Sequence, residues 1–345
     1  MSTNETHGQT AGTPPPRESG PVPVSGAGNP TNPGLLRGKS APTAAARIAG
    51  HSAGHRTDVI VVGVDASLSS SDAAEWAGAQ AARRHATVRL LHVRAGGGVR
   101  TPESTVQLPV SDPHLASETL LQETRAALQV RFPGLGIDTR IVHGDPATVI
   151  CSESEHARLT VVGARGSGLA AAPFLGSVAA AVSTFNPAPV AVIHPHHRTA
   201  DRGPVVVGVD GSPASDAAVA FAFEEAALRR SDLLAVHAWT ADASSASYSE
   251  NVESLDHDDI EQRHHALLSQ RLAGWRDRFP DVQVHLYVVC DRSTTALLKF
   301  GEGAQLLAVG SRSRGMRGRL LGSTSNALTA HCECPVVVVR PLTYP

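Results

Sequence analysis

The chain has 345 residues, of which 41% are hydrophobic and 18% are charged, a balance typical of a globular protein and too apolar for a wholly disordered chain. The formal net charge of −2, from 30 basic and 32 acidic residues, argues against a dedicated nucleic-acid coat or a polybasic membrane binder. The four cysteines are too few and too unevenly placed for a disulfide framework, so we expect a reducing, cytoplasmic setting.

The N-terminal residues 1–57 are predicted to be a disordered tail. They are rich in Pro, Gly, Ser, Thr and Ala and show no hydrophobic periodicity. The first ten residues carry no apolar core of a secretory signal. The alanine-rich stretch at 169–182 is short and is interrupted by Pro173 and Gly176, so we expect no membrane span.

From residue 58 onward the sequence contains one pattern twice. The apolar run VIVVGVDAS at 59–67 returns as VVVGVDGS at 205–212, and LTVVGARGSG at 159–168 returns as LLAVGSRSRG at 306–315. Asp65 and Asp210, which end the first apolar run of each copy, lie 145 residues apart. This tandem duplication predicts two domains, residues 58–195 and 204–341, joined by a linker at 196–203.

Each copy alternates predicted strands and helices. Strands are predicted at 58–64, 87–93, 137–143, 159–163 and 189–194, and again at 204–209, 233–238, 282–289, 305–309 and 335–340. Helices are predicted at 70–85, 114–131, 146–157 and 176–185, and again at 213–230, 256–278, 293–303 and 322–332. Runs that are apolar on both faces suit buried parallel strands, so the pattern predicts two tandem doubly wound α/β domains, each with a five-stranded parallel sheet.

The residues that follow the strands predict a ligand site at the carboxyl edge of each sheet, where open α/β sheets bind ligands. In the first copy the fourth strand is followed by Gly163 and Gly166, and the last helix is preceded by Gly176 and Ser177. Glycine allows close backbone approach, and the free N–H groups at a helix start favour phosphate. The spacing matches neither the dinucleotide-binding glycine fingerprint nor the P-loop.

These motifs resemble those of the universal stress protein (UspA) superfamily, in its tandem ATP-binding form, over residues 58–341. Gly163, Gly166 and Gly176-Ser177 have the spacing of the family's G-2x-G-9x-G-(S/T) pattern. The resemblance implies a Rossmann-like, three-layer α/β/α fold of the adenine nucleotide alpha hydrolase type, and ATP, with or without Mg²⁺, as the ligand. It places Asp65 and Val93 by the base and ribose. The implied first site consists of Val64, Asp65, Val93, Gly163, Arg165, Gly166, Gly176, Ser177 and Val178.

The second copy departs from this pattern. Ser313 stands at the position of the second glycine, Gly322 follows it after eight residues rather than nine, and Ala238 replaces the strand-two valine. Four arginines crowd the same loop. Arginine suits phosphate, although a solvated loop or a patch for an anionic partner is an equal alternative. The weaker second site is expected to consist of Val209, Asp210, Ala238, Gly310, Arg312, Gly322, Ser323 and Thr324.

Several of these residues also have purely structural interpretations. Asp65 and Asp210 could have no role beyond capping the first helix of each copy, since aspartate is a common cap. His92 and His237 end the second strands and could contact ligand or hold structural roles.

The remaining histidines and cysteines show no metal-site spacing. His194, where the first predicted domain passes into the linker, and the His264-His265 pair, on a helix, are expected to be solvated. Cys332 and Cys334 are expected to pack in the core, with a redox role as the lesser alternative.

The sequence contains no catalytic constellation, so we expect an ATP-binding regulatory protein of the stress response rather than an enzyme, with at most slow ATPase activity. Nucleotide state would alter conformation or the choice of an unidentified protein partner. The alternatives are a nucleotide-free interaction module, a nucleotidyl transferase, and a sensor of cyclic nucleotides or other adenine ligands. The resemblance implies an internal pseudo-dimer through residues 190–193 and 336–339, and allows a homodimer. Neither nucleic acid nor a membrane is expected as a partner.

Overall fold

The computed structural model describes residues 57–95, 113–166, 175–195, 202–240, 257–311 and 321–341. Apart from Thr57, the predicted N-terminal tail lies outside these residues, as do most of the predicted linker and the arginine-rich loop of the second copy. Residues 57–195 are called the first half below, and residues 202–341 the second half.

The first half alternates strands and helices in the predicted order: β1 (Thr57–Gly63), α1 (Leu68–Arg84), β2 (Thr87–Arg94), α2 (Pro113–Arg131), β3 (Ile137–His143), α3 (Pro146–Glu153), β4 (Ala157–Gly163), α4 (Ser177–Phe185) and β5 (Val190–Ile193). Helix α3 is four residues shorter than predicted. Ser154 follows its last turn, and the Ser154 hydroxyl and N–H both donate to the Ile150 carbonyl. The helix therefore ends there, and β4 begins two residues earlier than predicted.

The second half repeats this order: β6 (Val205–Gly208), α5 (Pro213–Arg229), β7 (Leu233–Trp239), α6 (His257–Arg278), β8 (Val284–Cys290), α7 (Ser293–Gly301), β9 (Leu306–Gly310), α8 (Ser323–His331) and β10 (Val336–Val339). Ser212 is the N-cap of α5 and accepts from the Ser215 N–H at 3.2 Å. Within the described ranges, no helix combines the length and the apolar character that a membrane crossing requires.

The described strands form one sheet in the order β3-β2-β1-β4-β5-β10-β9-β6-β7-β8. Within each half every pairing is parallel, and the chain changes direction across the sheet between β1 and β4 and between β6 and β9. These are the switch points of two doubly wound five-stranded domains, which confirms the predicted fold class. The last strands of the two halves pair antiparallel, with Val337 opposite Ala191. Each therefore covers what would be an exposed edge of the other.

The two faces of the sheet are packed differently. On one face, α1, α2, α5 and α6 cover a continuous core that crosses both halves, from Ile60 and Leu90 to Leu268 and Val337. On the other face, α3 and α4 cover a core in the first half, and α7 and α8 cover a separate core in the second. Alternate residues of each strand supply the two faces. The halves thus share one hydrophobic core on a single face.

The two halves meet at a seam, where β5 pairs with β10. At this seam each half also contacts the end of a helix of the other half. Arg340, just after β10, donates to the carbonyls of Ser183, at 2.8 Å, and of Thr184 at the end of α4. His194, just after β5, hydrogen-bonds the carbonyl of Thr329 at 2.9 Å near the end of α8. His194 is thus not the solvated residue that the sequence suggested. Each half supplies a donor to the last helix of the other.

A buried charge cluster lies where α1 meets α5. Glu225 has 0% exposure, accepts from Gln80 Nε2 at 2.8 Å and from Arg229 Nε at 2.9 Å, and is also paired with Arg84. Burial by itself raises the pKa of Glu225, but Arg84, Arg229 and the hydrogen bond from Gln80 outweigh burial and lower the pKa to about 2. Gln80 and Glu225 occupy repeat-related positions, as do Arg84 and Arg229. The cluster therefore joins equivalent faces of α1 and α5, and only one of the two equivalent positions, Glu225, carries a carboxylate.

Candidate functional site at the carboxyl edge of the sheet

The carboxylate after the first strand of each half organises a tight turn. Asp65 Oδ1 accepts from the Ser67 N–H at 3.1 Å, and Asp210 Oδ1 accepts from the Ser212 N–H at 3.0 Å. The helix cap itself is the serine, because Ser67 and Ser212 accept from the N–H groups three residues on. Asp65 and Asp210 therefore do not cap α1 and α5, and their remaining oxygens lie at the carboxyl edge of the sheet.

The first glycine of each loop has a packing role. A Cβ placed on Gly163 would lie 2.5 Å from Ser69 Oγ and 2.7 Å from the Ser69 carbonyl carbon. A Cβ on Gly310 would lie 2.5 Å from the carbonyl carbon of Ala214. Both strands β4 and β9 therefore end directly against the first turn of a helix, and only glycine fits there. Ser67 and Ser69 also donate to the Arg165 carbonyl, which fixes the loop on α1.

The second glycine of the first half brings the loop to the strand-one carboxylate. A Cβ on Gly166 would lie 2.8 Å from Asp65 Oδ2. None of Gly163, Gly166 and Gly176 has a positive φ, so close approach and not backbone conformation accounts for glycine at 163 and 166. Ser313, which stands at the position of the second glycine in the second half, lies outside the described residues.

Among the helices that begin at this edge, α4 and α8 lack side-chain caps, as does α7 after Arg292. The N-cap residues of α4 and α8 are Gly176 and Gly322, and neither cap makes a side-chain hydrogen bond. In contrast, α1 and α5 are capped by serine hydroxyls. A Cβ on Gly176 would meet the Ala164 carbonyl oxygen at 3.2 Å, a tight but tolerable contact. The first-turn N–H groups of α4 and α8 are therefore left for an external acceptor.

In the second half these elements line a cleft that is open to solvent and has a cavity volume of about 70 Å³. It contains seven of the eight residues predicted for the second site: Val209, Asp210, Ala238, Gly310, Gly322, Ser323 and Thr324. The eighth, Arg312, lies outside the described residues. Sequence reasoning missed a set of hydroxyl groups in the wall, from Ser212, Ser215, Ser293 and Ser325. Of these, Ser212 and Ser325 stand in the VDGS and LGSTS motifs and could have been proposed.

The first half places its predicted residues at the corresponding points. Val64 and Asp65 follow β1, Val93 lies near the end of β2, and Gly163, Arg165 and Gly166 follow β4. Gly176, Ser177 and Val178 form the start of α4. The Gly176 N–H donates to the Ala164 carbonyl at 2.8 Å, which holds the start of α4 against the glycine loop. Gly166 lies close to Asp65, since a Cβ added there would be 2.8 Å from Asp65 Oδ2.

The histidines at the ends of the second strands have structural partners. His92 Nδ1 donates to the Val64 carbonyl at 2.7 Å, and His237 Nδ1 donates to the Val209 carbonyl at 2.6 Å. His237 Nε2 also lies 2.8 Å from His264 Nδ1, whose ring stacks on Trp239. Burial and the neighbouring His237 lower the pKa of His264 below its usual value. His264 therefore belongs to a packed cluster and not to a solvated helix surface.

The chemistry of this edge is that of anion and polar-ligand binding. Among the described residues, no group of three or more His, Cys, Asp or Glu side chains is arranged to hold a metal ion. Asp65 and Asp210 are single carboxylates, so any Mg²⁺ would need most of its oxygen ligands from phosphate and water.

Comparisons with known proteins identify the family. The model of the universal stress protein family matches residues 57–194 and 202–340. A universal stress protein of Mycobacterium tuberculosis is 36% identical over 300 residues, covering 81% of this chain and 96% of that protein. Another, from Mycolicibacterium smegmatis, is 35% identical over 297 residues, covering 82% and 97%.

A solved structure shows the same fold. The crystal structure of a universal stress protein from Archaeoglobus fulgidus matches with a TM-score of 0.56 at 20% identity, over 83% of this chain and 99% of that one. A crystal structure of a functionally unknown protein from Pseudomonas aeruginosa matches with a TM-score of 0.58 at 17% identity, over 83% and 93%. With two family matches and these relatives, the chain belongs to the universal stress protein family in its tandem form.

Proposed function

We propose that this chain binds ATP at the carboxyl edge of its sheet, and that nucleotide state changes its conformation or its choice of partner. The observation that carries the proposal is the difference between helix starts. Helices α1 and α5 are capped by serine, whereas α4 and α8 start at Gly176 and Gly322 without a side-chain cap. Uncapped N–H groups beside a polar cleft favour a phosphate group, through hydrogen bonds and the helix dipole.

The residues around these helix starts fit the rest of a nucleotide. The cleft of the second half combines apolar walls from Val209, Val236 and Leu297 with serine hydroxyls and Asp210. Apolar walls suit a base, and a carboxylate suits the hydroxyls of a ribose. In the first half, Asp65 and Val93 hold the corresponding positions, and the loop carries Gly166 where the second half has Ser313. We therefore assign the stronger site to the first half.

The seam supplies a route for regulation. Helices α4 and α8 start at the proposed sites, and their final turns are held by Arg340 and His194 of the opposite half. A ligand that shifts the start of either helix would therefore also shift its final turn and the contact made there by the opposite half. Such a contact can couple the two proposed sites.

The rival function is a nucleotide-free interaction module, and one observation favours it. Gly163 and Gly310 are required by packing against Ser69 and Ala214, so these two glycines are explained without a ligand. Gly176 and Gly322 stand at N-cap positions, where glycine is tolerated but offers no side-chain acceptor, so the first N–H groups of α4 and α8 stay available to a ligand.

The test is to purify the full chain, denature it, and identify released nucleotide by chromatography. Gly176→Asp and Gly176→Asn are the paired variants, because both side chains can cap α4 and they differ only in charge. We expect ATP or ADP from the wild type, less from Gly176→Asn, and none from the first site of Gly176→Asp. If no nucleotide is released and the chain does not bind ATP supplied at millimolar concentration, the ATP-binding proposal is wrong and the nucleotide-free interaction module is favoured. Mg²⁺-dependent turnover that Asp65→Ala removes would instead establish an ATPase.

A further inference from the structure

Two of the four cysteines meet in the second half. Cys332, which caps the end of α8, and Cys334, two residues before β10, have their sulfur atoms 3.4 Å apart within hydrogen-bonding distance. Both are free thiols, with exposures of 2% and 3%. Of the other two, Cys151 is half-buried and Cys290 is exposed. The pair is therefore a distinct chemical feature of the chain.

The surroundings make space for both sulfur atoms. A Cβ on Gly301, at the end of α7, would lie 2.7 Å from Cys332 Sγ and 3.6 Å from Cys334 Sγ. Leu307 and Leu328 complete the apolar wall. Because the pocket holds the two thiols in contact, the neighbouring thiol is the nearest partner for a sulfur that an oxidant has converted to a sulfenic acid.

The two thiols are not equivalent. The hydrogen bond from Cys334 lowers the pKa of Cys332, while the same bond and burial raise the pKa of Cys334. Cys332 is therefore the better nucleophile of the two, because the thiolate is the reactive form. Cys334 is placed to attack whatever forms on Cys332.

We propose that Cys332 and Cys334 form an oxidation site, a dithiol that hydroperoxides convert to an intramolecular disulfide. The Cys332 thiolate attacks the peroxide, breaks the O–O bond and becomes a sulfenic acid, with hydroxide as the leaving group. Cys334 sulfur then attacks the sulfenic sulfur, and its proton and the departing hydroxyl leave as water. Two thiols and one hydrogen peroxide thus give one disulfide and two waters.

The geometry also describes the product. A disulfide has an S–S distance of about 2.05 Å, so the sulfur atoms must approach by roughly 1.4 Å from their present contact. A ring closed across a single intervening residue is constrained, and strained disulfides are the easily reduced ones. The bond would tie the end of α8, whose start lines the cleft, to the chain that enters the seam strand β10.

The experiment uses the full chain in a Cys151→Ser/Cys290→Ser background, treated with hydrogen peroxide, alkylated, digested and examined by mass spectrometry. We expect both remaining thiols to be lost together in a monomeric chain, with a mass decrease of two hydrogens, and to return with dithiothreitol. In this background Cys334→Ser should let Cys332 oxidise to sulfinic acid, whereas Cys332→Ser should leave Cys334 reduced.

Three outcomes would overturn the proposal. These are thiols that survive peroxide concentrations at which Cys290 of the wild type is consumed, disulfide-linked dimers in place of the internal bond, or a disulfide that forms only after the chain is unfolded in urea. Circular dichroism of each serine variant shows that it is folded before it is treated.

Discussion

Glycine residues of the candidate site serve two different purposes, and the distances separate them. A Cβ at Gly163 meets backbone atoms of Ser69 at 2.7 and 2.9 Å, whereas a Cβ at Gly176 meets nothing closer than 3.2 Å. The first contact cannot be relieved without moving α1 away from β4. The second needs a shift of a few tenths of an ångström.

We therefore expect Gly163→Ala to lower the free energy of unfolding by about 1–3 kcal/mol, the usual cost of overpacking. Gly176→Ala should change the free energy of unfolding by less than about 0.5 kcal/mol, as alterations outside such contacts do. Urea unfolding of the two variants beside the wild type measures both. Equal destabilisation by the two substitutions would contradict the close packing of Gly163 against the Ser69 backbone.

The residue after the strand-one carboxylate offers a second matched pair. Ala66 has φ of 66° and its counterpart Gly211 has φ of 75°, so both lie in the left-handed region. At Gly211 the nearest atom to an added Cβ is 3.8 Å away, so space is sufficient and only backbone strain opposes alanine.

Ala66→Gly should stabilise the chain by about 0.5–1 kcal/mol, because relief of the left-handed strain exceeds the added freedom of the unfolded chain. Gly211→Ala should destabilise it by about 1 kcal/mol for the opposite reason. Thermal unfolding of the two variants gives the signs directly. A loss of stability in Ala66→Gly would contradict the assigned turn.

At the scale of elements, the ends of α4 and α8 are where the halves hold each other. Arg340 places a positive charge at the carboxyl end of α4, where the helix dipole is negative, and donates to two of its last carbonyls. His194 holds α8 with one hydrogen bond. The contacts are related by the repeat but unequal in charge.

Arg340→Ala should therefore lower the free energy of unfolding by about 1–2 kcal/mol, through loss of charge-assisted hydrogen bonds and of the dipole interaction. Arg340→Lys keeps the charge and should recover part of this loss. Guanidinium unfolding at low salt measures the three proteins. If the free energy of unfolding of Arg340→Ala is within about 0.3 kcal/mol of the wild type, the Arg340 contacts do not stabilise the pairing of the two halves.

At the scale of the whole molecule, one buried carboxylate serves two repeat-related arginines. Glu225 lies between Arg84 and Arg229, and Gln80 occupies the position that the repeat would give to a second carboxylate. A first half paired with a copy of itself would bring two Arg84 side chains together with no carboxylate. The cluster therefore favours pairing between the two different halves of one chain.

Glu225→Gln should destabilise the protein by about 3–5 kcal/mol, because it removes the carboxylate that pairs with the buried Arg229 and leaves Arg84 with the more distant Glu224, 3.8 Å away. Adding Gln80→Glu should restore much of the loss, because the carboxylate then returns from the other side of the same axis. Because the pKa of Glu225 falls from 4.5 to about 2 on folding, its contribution is complete above pH 4.5 and is lost as the pH falls through about 2. A double variant no more stable than Glu225→Gln would contradict this arrangement.

Features that depend on neighbouring residues in the sequence were predicted, whereas contacts between distant segments were not. The doubly repeated pattern predicted the alternation of strands and helices along the chain, because β-branched runs and turns act locally. The spacing of Gly163, Gly166 and Gly176 predicted a site at the carboxyl edge of the sheet, and that site stays a prediction. The partners of Glu225, His194 and Cys332 were not predicted, because those contacts depend on how distant segments pack. The steric role of Gly163 was missed for the same reason, since Ser69 lies on a helix of different sequence position.

Titration calorimetry of the nucleotide-free full chain with ATP, in the presence of Mg²⁺, measures binding at the starts of α4 and α8. The wild type should bind at least one equivalent, Gly176→Asp should lose the tighter binding, and Gly322→Asp should lose only binding by the second half. Binding that persists undiminished in the double Gly176→Asp/Gly322→Asp variant, or no binding to the wild type, would contradict a nucleotide site at the uncapped starts of α4 and α8.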